Sequence, residues 1–283
     1  MTAYKRDYDF AFYASVEEMM DDADRRAHFA KHLFFDADGA YTFPMSVSQA
    51  HWTGRNARTW AEFRKGASKP WAEGLEMLEA LIGKLGDVQL PTPRSIKRKK
   101  SWNADDGDDV DLDRMWAGQE YWQKTSRQAL SGSPIVTIVC NVSASSTYDT
   151  TSLFWKGAAA IALADILERA GYRVNVLVGD YGAAAYRGHP ADSFRLATVK
   201  PPESPVDKAT LANVLSGWFF RTVFFRITAS PHSSIDRRIA TPAPMTAEEI
   251  TQETGLQNPV IFQNFFTLAQ AEEHLRMALA SFK

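Results

Sequence analysis

Ile135-Val136-Thr137-Ile138-Val139-Cys140, followed at once by Asn141-Val142-Ser143-Ala144-Ser145, is the stretch on which the fold turns. The first six residues are short, apolar and mostly β-branched, the composition of a strand buried on both faces. Residues 141–151 are small and polar, which predicts a turn. Residues 153–170 form an alanine-rich helical pattern closed by Gly171 at the position after the cap. Residues 172–178 read as a second buried strand. A strand, a crossover helix and a strand make a βαβ unit, so the two strands should lie parallel.

Working outward, residues 193–199 predict a third strand, and 208–225 a helix with a break near Gly217. A short helix over 248–254 ends at Gly255, a strand follows at 258–262, and 268–280 is an amphipathic helix. Toward the N-terminus the text is different. Residues 16–32 fit a helix whose acidic first half and basic second half suit the macrodipole. Residues 34–43 alternate aromatics around a turn at 36–39, and 57–66 and 71–85 read as two helices, the second started by Pro70. Residues 87–114 are a charged junction, and 115–130 predict a helix anchored by Trp116, Tyr121 and Trp122. The expected organisation is therefore a helical, Trp-rich region over 1–132 and an α/β domain over 133–283. Its sheet should be Rossmann-like, mostly parallel and about four to six strands wide.

The composition excludes several classes. With 45% hydrophobic and 23% charged residues, the 283-residue chain is not disordered, and its formal charge of −2 argues against a globally basic nucleic-acid coat. No run approaches the ~18 consecutive apolar residues of a membrane helix, so no membrane partner is expected. Residues 1–9 contain no apolar segment of a secretory signal. The one cysteine, Cys140, excludes an internal disulfide and multi-cysteine zinc sites, and a reduced cytoplasmic setting is expected, in the host if the chain is phage-encoded.

Ligands of open α/β sheets gather at the carboxyl ends of strands, which directs attention to residues 141–145. Asn141, Ser143 and Ser145 resemble the Asp-x-Ser-x-Ser motif of von Willebrand factor A-type domains, with Asn in the leading place. In that family the motif oxygens hold a divalent cation, completed by a Thr and a second Asp from later loops. The resemblance covers about 134–283 and implies that fold. It assigns the Thr to Thr210, 69 positions after Asn141, and offers Gln263 or Asn264 for the later Asp. Hard cations need carboxylate charge to offset dehydration. A shell of Asn, two Ser and a Thr has none, so no cofactor is expected beyond weak Mg²⁺. Ser and Asn also serve any tight strand-to-helix turn.

The whole chain resembles uncharacterised bacteriophage and prophage proteins, through Trp52-Thr53-Gly54, Trp71-Ala72-Glu73-Gly74, the acidic 107–113 region, 141–145 and Lys156-Gly157-Ala158-Ala159-Ala160. Together the resemblances imply a non-enzymatic module. It would dock another protein, encoded by the phage, on the sheet edge at 141–145, Tyr181 and Thr210.

A second reading is nucleic-acid binding: Arg94, Lys97, Arg98, Lys99 and Lys100 would grip phosphates while Trp102 stacks on a base. Asp105, Asp108, Asp109 and Asp111 would be the carboxylates for an accompanying metal, although clustered charge on one loop is ordinarily a solvated surface. EF-hand spacing fails around both Gly39 and Gly107. The six histidines make no zinc motif, no Gly-x-Ser-x-Gly elbow occurs, and no catalytic residue is assigned. Gly179-Asp180-Tyr181-Gly182 follows a strand and offers a ligand loop without P-loop spacing. Cys140 reads as an inert core thiol.

Overall fold

The computed structural model describes residues 8–25, 60–67, 71–85, 90–91, 98–103, 105, 107, 109–127, 134–145, 147–182, 192–228 and 242–282. In chain order these form β1 (Tyr8–Tyr13), α1 (Val16–Arg25), α2 (Trp60–Ala67), α3 (Ala72–Leu85), β2 (Arg98–Asn103), β3 (Asp109–Val110), α4 (Leu112–Trp116) and β4 (Trp122–Arg127). There follow β5 (Ile135–Asn141), α5 (Thr150–Arg169), β6 (Arg173–Gly182), β7 (Asp192–Lys200), α6 (Lys208–Val214) and α7 (Gly217–Phe219). A π-helical turn (Phe220–Phe224) leads into α8 (Phe225–Thr228), then α9 (Ala247–Thr254), β8 (Val260–Phe262) and α10 (Leu268–Ala280).

The chain is mixed α/β, with a mostly parallel five-stranded sheet in the order β1-β7-β6-β5-β8. β5 lies parallel to both β6 and β8, as the βαβ pattern requires. β7 runs antiparallel to β6, and β1 runs parallel to β7. Alternation along the central strands sends side chains to two covered faces. Ile138, Cys140, Val174, Val176 and Val178 join the main core beneath the helices, whereas Val139, Leu177, Tyr181, Phe194 and Leu196 meet Met245 and Ile250 on the α9 side.

α5 is the central helix of the main core, packing on α3, α6, α10 and the sheet. Its run of fully buried alanines keeps the helix thin, so neighbours approach closely from several sides. Gly157 marks the tightest approach: a Cβ there would fall 2.4 Å from the Leu215 carbonyl oxygen. The break foreseen near Gly217 is present, with Ser216 capping the restart by accepting from the Phe219 N–H at 3.2 Å.

Three expectations are corrected. The helix expected over 115–130 stops at Trp116, because Gly118 takes a left-handed backbone (φ 68°) that ends it, and residues 122–127 form β4 instead. The basic part of the junction is a strand: β2 pairs with β4 in a second, three-stranded sheet of order β2-β4-β3. The segment Gly179-Asp180-Tyr181-Gly182 is the end of β6, not a ligand loop; Leu196 and Met245 fill the space beside Gly179. The helix expected over 16–32 is described to Arg25. The turn at 36–39 and the Trp52 motif lie outside the described residues.

Candidate functional site: a strand end wired from within

β8 ends at Phe262 opposite Cys140 and the parallel β5 ends at Asn141 opposite Gly179, while β6 runs on to Gly182. The chain then turns through 142–149 into α5, whose first turn is capped by the Asp149 carboxylate accepting from the Ser152 N–H at 2.6 Å.

Asn141 is 2% exposed and fully bonded. Its Oδ1 accepts from the Ser143 N–H at 3.0 Å and the Ser143 hydroxyl at 2.5 Å. Its Nδ2 donates to the Ala243 carbonyl at 3.0 Å and to Gln263 Oε1 at 3.2 Å. Gln263 in turn accepts from the Met245 N–H at 2.8 Å and donates to the Met245 carbonyl at 2.9 Å. Gln263, offered by position for the missing acid, is therefore brought to Asn141, but as a neutral crosslink between β8 and the 243–245 segment.

Two buried cations hold the loop from the helical side. Lys156, 1% exposed on α5, donates to the Ser143 carbonyl at 2.8 Å, and its ammonium sits 5.1 Å from the centre of the Phe266 ring. Arg221, 1% exposed in the π-helical turn, donates to the Tyr148 carbonyl. The Tyr148 ring stacks on Phe266, with centroids 3.7 Å apart and planes within 10°. Ser145 is half-buried and accepts at its hydroxyl from Thr147 at 3.1 Å.

Burial pushes the Lys156 ammonium down to about 8, against the pull of Cys140 and then Asp180. Burial likewise pushes the Cys140 thiol up to about 12, with Lys156 opposing. These shifts have opposite consequences for stability. The unfolded chain binds the Lys156 proton more tightly, so this group makes stability rise as pH goes from about 8 to about 10.5, by at most roughly 3 kcal/mol. Unfolded Cys140 ionises near 9 while the folded thiol holds its proton to about 12, so this group makes stability fall across that window. Urea midpoints for the wild type should rise between pH 8 and 9 and then level off. Cys140→Ala should continue to rise to about pH 10.5, and identical profiles for the two proteins would contradict the assignment.

Thr210 is not part of this loop. Its hydroxyl donates to Asp207 at 2.6 Å, which holds that carboxyl below its usual range. The adjoining Lys208 pairs with Asp165 at 3.4 Å, and the Val206 N–H donates to Glu168 at 3.1 Å, both in the last turns of α5. Asp165 lies nine residues beyond Lys156 on that helix, about 13 Å along its axis. The physical reason is the direction of β7: because it runs antiparallel to β6, the helix that follows begins at the opposite sheet edge. Tyr181 is fully buried and its hydroxyl donates to Glu249 at 3.3 Å, so it forms no part of an exposed docking edge. Cys140 is buried, as expected.

In the second sheet, Arg98, Lys99 and Lys100 lie on β2, and Arg94 and Lys97 fall outside the described residues. Trp102 is half-buried, with the Arg114 guanidinium 4.3 Å from its ring centre. Asp105 is exposed; the Asp109 carboxylate accepts from the Val110 N–H at 2.9 Å; Asp111 caps α4 by accepting from the Arg114 N–H at 3.1 Å. Asp108 falls outside the described residues. Asp109, Asp111 and Asp113 line a cavity of about 470 Å³ beside Trp102. Among the described residues, no three His, Cys, Asp or Glu side chains gather as metal ligands, and no helix is long and apolar enough to cross a membrane.

A family described as a domain of unknown function, DUF7192, matches residues 5–283. The chain belongs to the DUF7192 family. No curated protein and no solved structure matches it. The features that organise this DUF7192 strand end, Lys156 and Arg221, carry no motif. The one signal in sequence is a lysine in the seventh place of an alanine-rich helix, at the head of the apolar run 157–164, where a solvated position is not available.

Proposed function

We propose that the chain is a non-enzymatic protein-interaction module on a von Willebrand A-like, Rossmann-like sheet, acting in a phage-associated assembly in the host cytoplasm. The strand order β7-β6-β5-β8 supports this reading, because it repeats the 3-2-1-4 portion of the doubly wound order, with β7 reversed. In that order the ligand crevice opens where β5 and β8 diverge. The observation that carries the proposal is what fills this crevice: the Asn141–Gln263 crosslink, with Lys156 holding the loop from below.

Cations at Lys156 and Arg221 repel a divalent ion, and the loop oxygens they satisfy are no longer free to ligate one. What remains for a partner is the rim. Thr147 and Asn264 are exposed there, Ser145 is half-buried, and Tyr148 is 38% exposed on its Phe266 stack. A rigid aromatic pair is the kind of anchor that dominates protein interfaces.

The test is affinity capture from the native host with quantitative mass spectrometry. It compares wild type, a Thr147→Arg/Tyr148→Glu rim variant, and Glu203→Arg near the start of α6. A partner kept by wild type and Glu203→Arg but reduced at least ~10-fold by the rim variant is expected; equal recovery on all three sinks the proposal. Mg²⁺ should leave the melting temperature unchanged, and a rise abolished by Ser143→Ala would show a working cation site instead.

A further inference from the structure

We propose that the exposed apolar face of α4, with the acid-lined groove beside it, is a docking surface for a basic, amphipathic segment of another protein, separate from the strand-end rim. α4 carries Leu112, Met115 and Trp116, a spacing of three and four residues that puts all three on one side of the helix. None of its residues is buried: Trp116 is 83% exposed, Leu112 56% and Met115 38%. Single exposed apolar residues are ordinary. Three on one face, one of them a tryptophan, make a patch of the kind that marks an interaction site.

The apolar face is not what holds α4 in place. Asp111 caps the helix with its carboxylate, and its N–H donates to the Tyr121 carbonyl at 2.9 Å. The Arg114 Nε donates to the Glu120 carbonyl at 2.9 Å, and its guanidinium lies beside the Trp102 ring. The N–H groups of Ala117, Gly118 and Gln119 donate to the carbonyls of Asp113, Met115 and Arg114 and close the helix end. Backbone bonds, a cap and one arginine thus fix α4 between β3 and β4, and its large apolar side chains remain in water.

Charge selects the partner. Residues 109–120 hold Asp109, Asp111, Asp113 and Glu120 against Arg114 alone, a net −3 in a chain of net −2. The three aspartates line the groove of about 470 Å³ together with Trp102, Val110 and Leu112. Such an apolar wall suits the methylene stem of a lysine or arginine, and the carboxylates suit its charged head. Among the described residues the aspartates form no group able to hold a metal ion, so they serve separate cations. A nucleic acid or an anionic lipid surface would meet like charge here. A second copy docking by the same face would bring the same carboxylates against one another, because a two-fold contact is self-complementary. A segment with apolar anchors flanked by Lys or Arg complements both halves of the surface.

The experiment is fluorescence anisotropy of the full chain with a labelled peptide of about 18 Leu and Lys residues in amphipathic helical order, at roughly 50 and 300 mM salt. A Leu/Glu peptide of the same pattern and a Lys/Ser peptide of the same charge are the controls. The wild type should bind the Leu/Lys peptide at least ~10-fold more tightly than either control. Leu112→Ala/Trp116→Ala should weaken that binding at least ~10-fold. Asp109→Asn/Asp113→Asn should weaken it ~3- to 10-fold at the lower salt and remove most of the salt dependence. The charge-retaining Asp109→Glu/Asp113→Glu should bind as the wild type does, which separates loss of charge from loss of fold; Asp111, the α4 cap, is left in place. Tyr148→Glu should also bind as the wild type does, so failure here and failure of the rim proposal are read separately. Absence of Leu/Lys binding by the wild type overturns the proposal. So does equal binding by the alanine or asparagine variants, or of a control peptide. A dimer lost on Leu112→Ala/Trp116→Ala, seen by sedimentation, overturns it too, by showing that a second copy covers the face.

Discussion

Lys156→Met is expected to lower the free energy of unfolding by about 2–4 kcal/mol, although methionine fills nearly the same space. The loss has two sources. The Ser143 carbonyl, now accepting at 2.8 Å from a charged donor, would be left buried without that bond, and an orphaned buried acceptor costs about 1–3 kcal/mol. The buried Asp180 carboxylate would also lose the attraction of the ammonium. Removing the lysine does relieve the desolvation that depresses its proton affinity, so the net effect falls below the full value of a broken buried pair. Urea unfolding at pH 7 measures it. Asp180→Asn made in the Lys156→Met background should recover part of the loss, since the two groups are coupled. A Lys156→Met protein within ~0.5 kcal/mol of wild type would mean that the ammonium does not hold the loop.

Asn141→Asp restores the acid of the von Willebrand A motif, and here it should be damaging, by about 3 kcal/mol or more at neutral pH. The two Nδ2 bonds to the Ala243 carbonyl and Gln263 Oε1 would become oxygen–oxygen contacts in a site 2% exposed to water. Such an aspartate resists ionisation, so its folded-state pKa rises above the unfolded ~3.9. The sign follows directly. Below about pH 4 both states carry the neutral acid and the variant should approach the wild type; as pH rises the penalty grows until the folded carboxyl ionises. Stability measured at pH 4 and pH 7 gives the contrast. Recovery of the variant at pH 7 by Mg²⁺ would show that the loop can open for a cation, which the positions of Lys156 and Gln263 oppose.

Much of the α/β core was legible because its signals are local. A β-branched run, an alanine-rich helix and a second run gave β5, α5 and β6 their order and parallel sense, and the 3.6-residue spacing of 268–280 located α10. Position in space was legible only where chain direction could be assumed. Thr210 was assigned to the Asn141 edge by counting residues as if each crossover were parallel, and the reversal of β7 moved it to the other edge. Residues 98–103 and 122–127 carry no strong period, and only their mutual pairing makes them strands. β1 is six residues with no neighbouring element in sequence to pair with. Lys156 and Arg221 act through carbonyls 13 and 73 residues away, and no spacing rule connects such pairs.

The placement of β1 also sets an order of events on the ribosome. Among the described residues its sheet partner is β7, which begins at Asp192, so β1 must wait for about 180 further residues before it can pair. At ~5–20 residues per second that interval is roughly 10–40 s, during which Tyr8–Tyr13, an aromatic segment with unpaired amides, is available to anything nearby. The β5-α5-β6 unit is synthesised and can condense within the same interval. Closure of the sheet by β1 is thus a late step of biogenesis, although β1 precedes the other strands of that sheet in the chain.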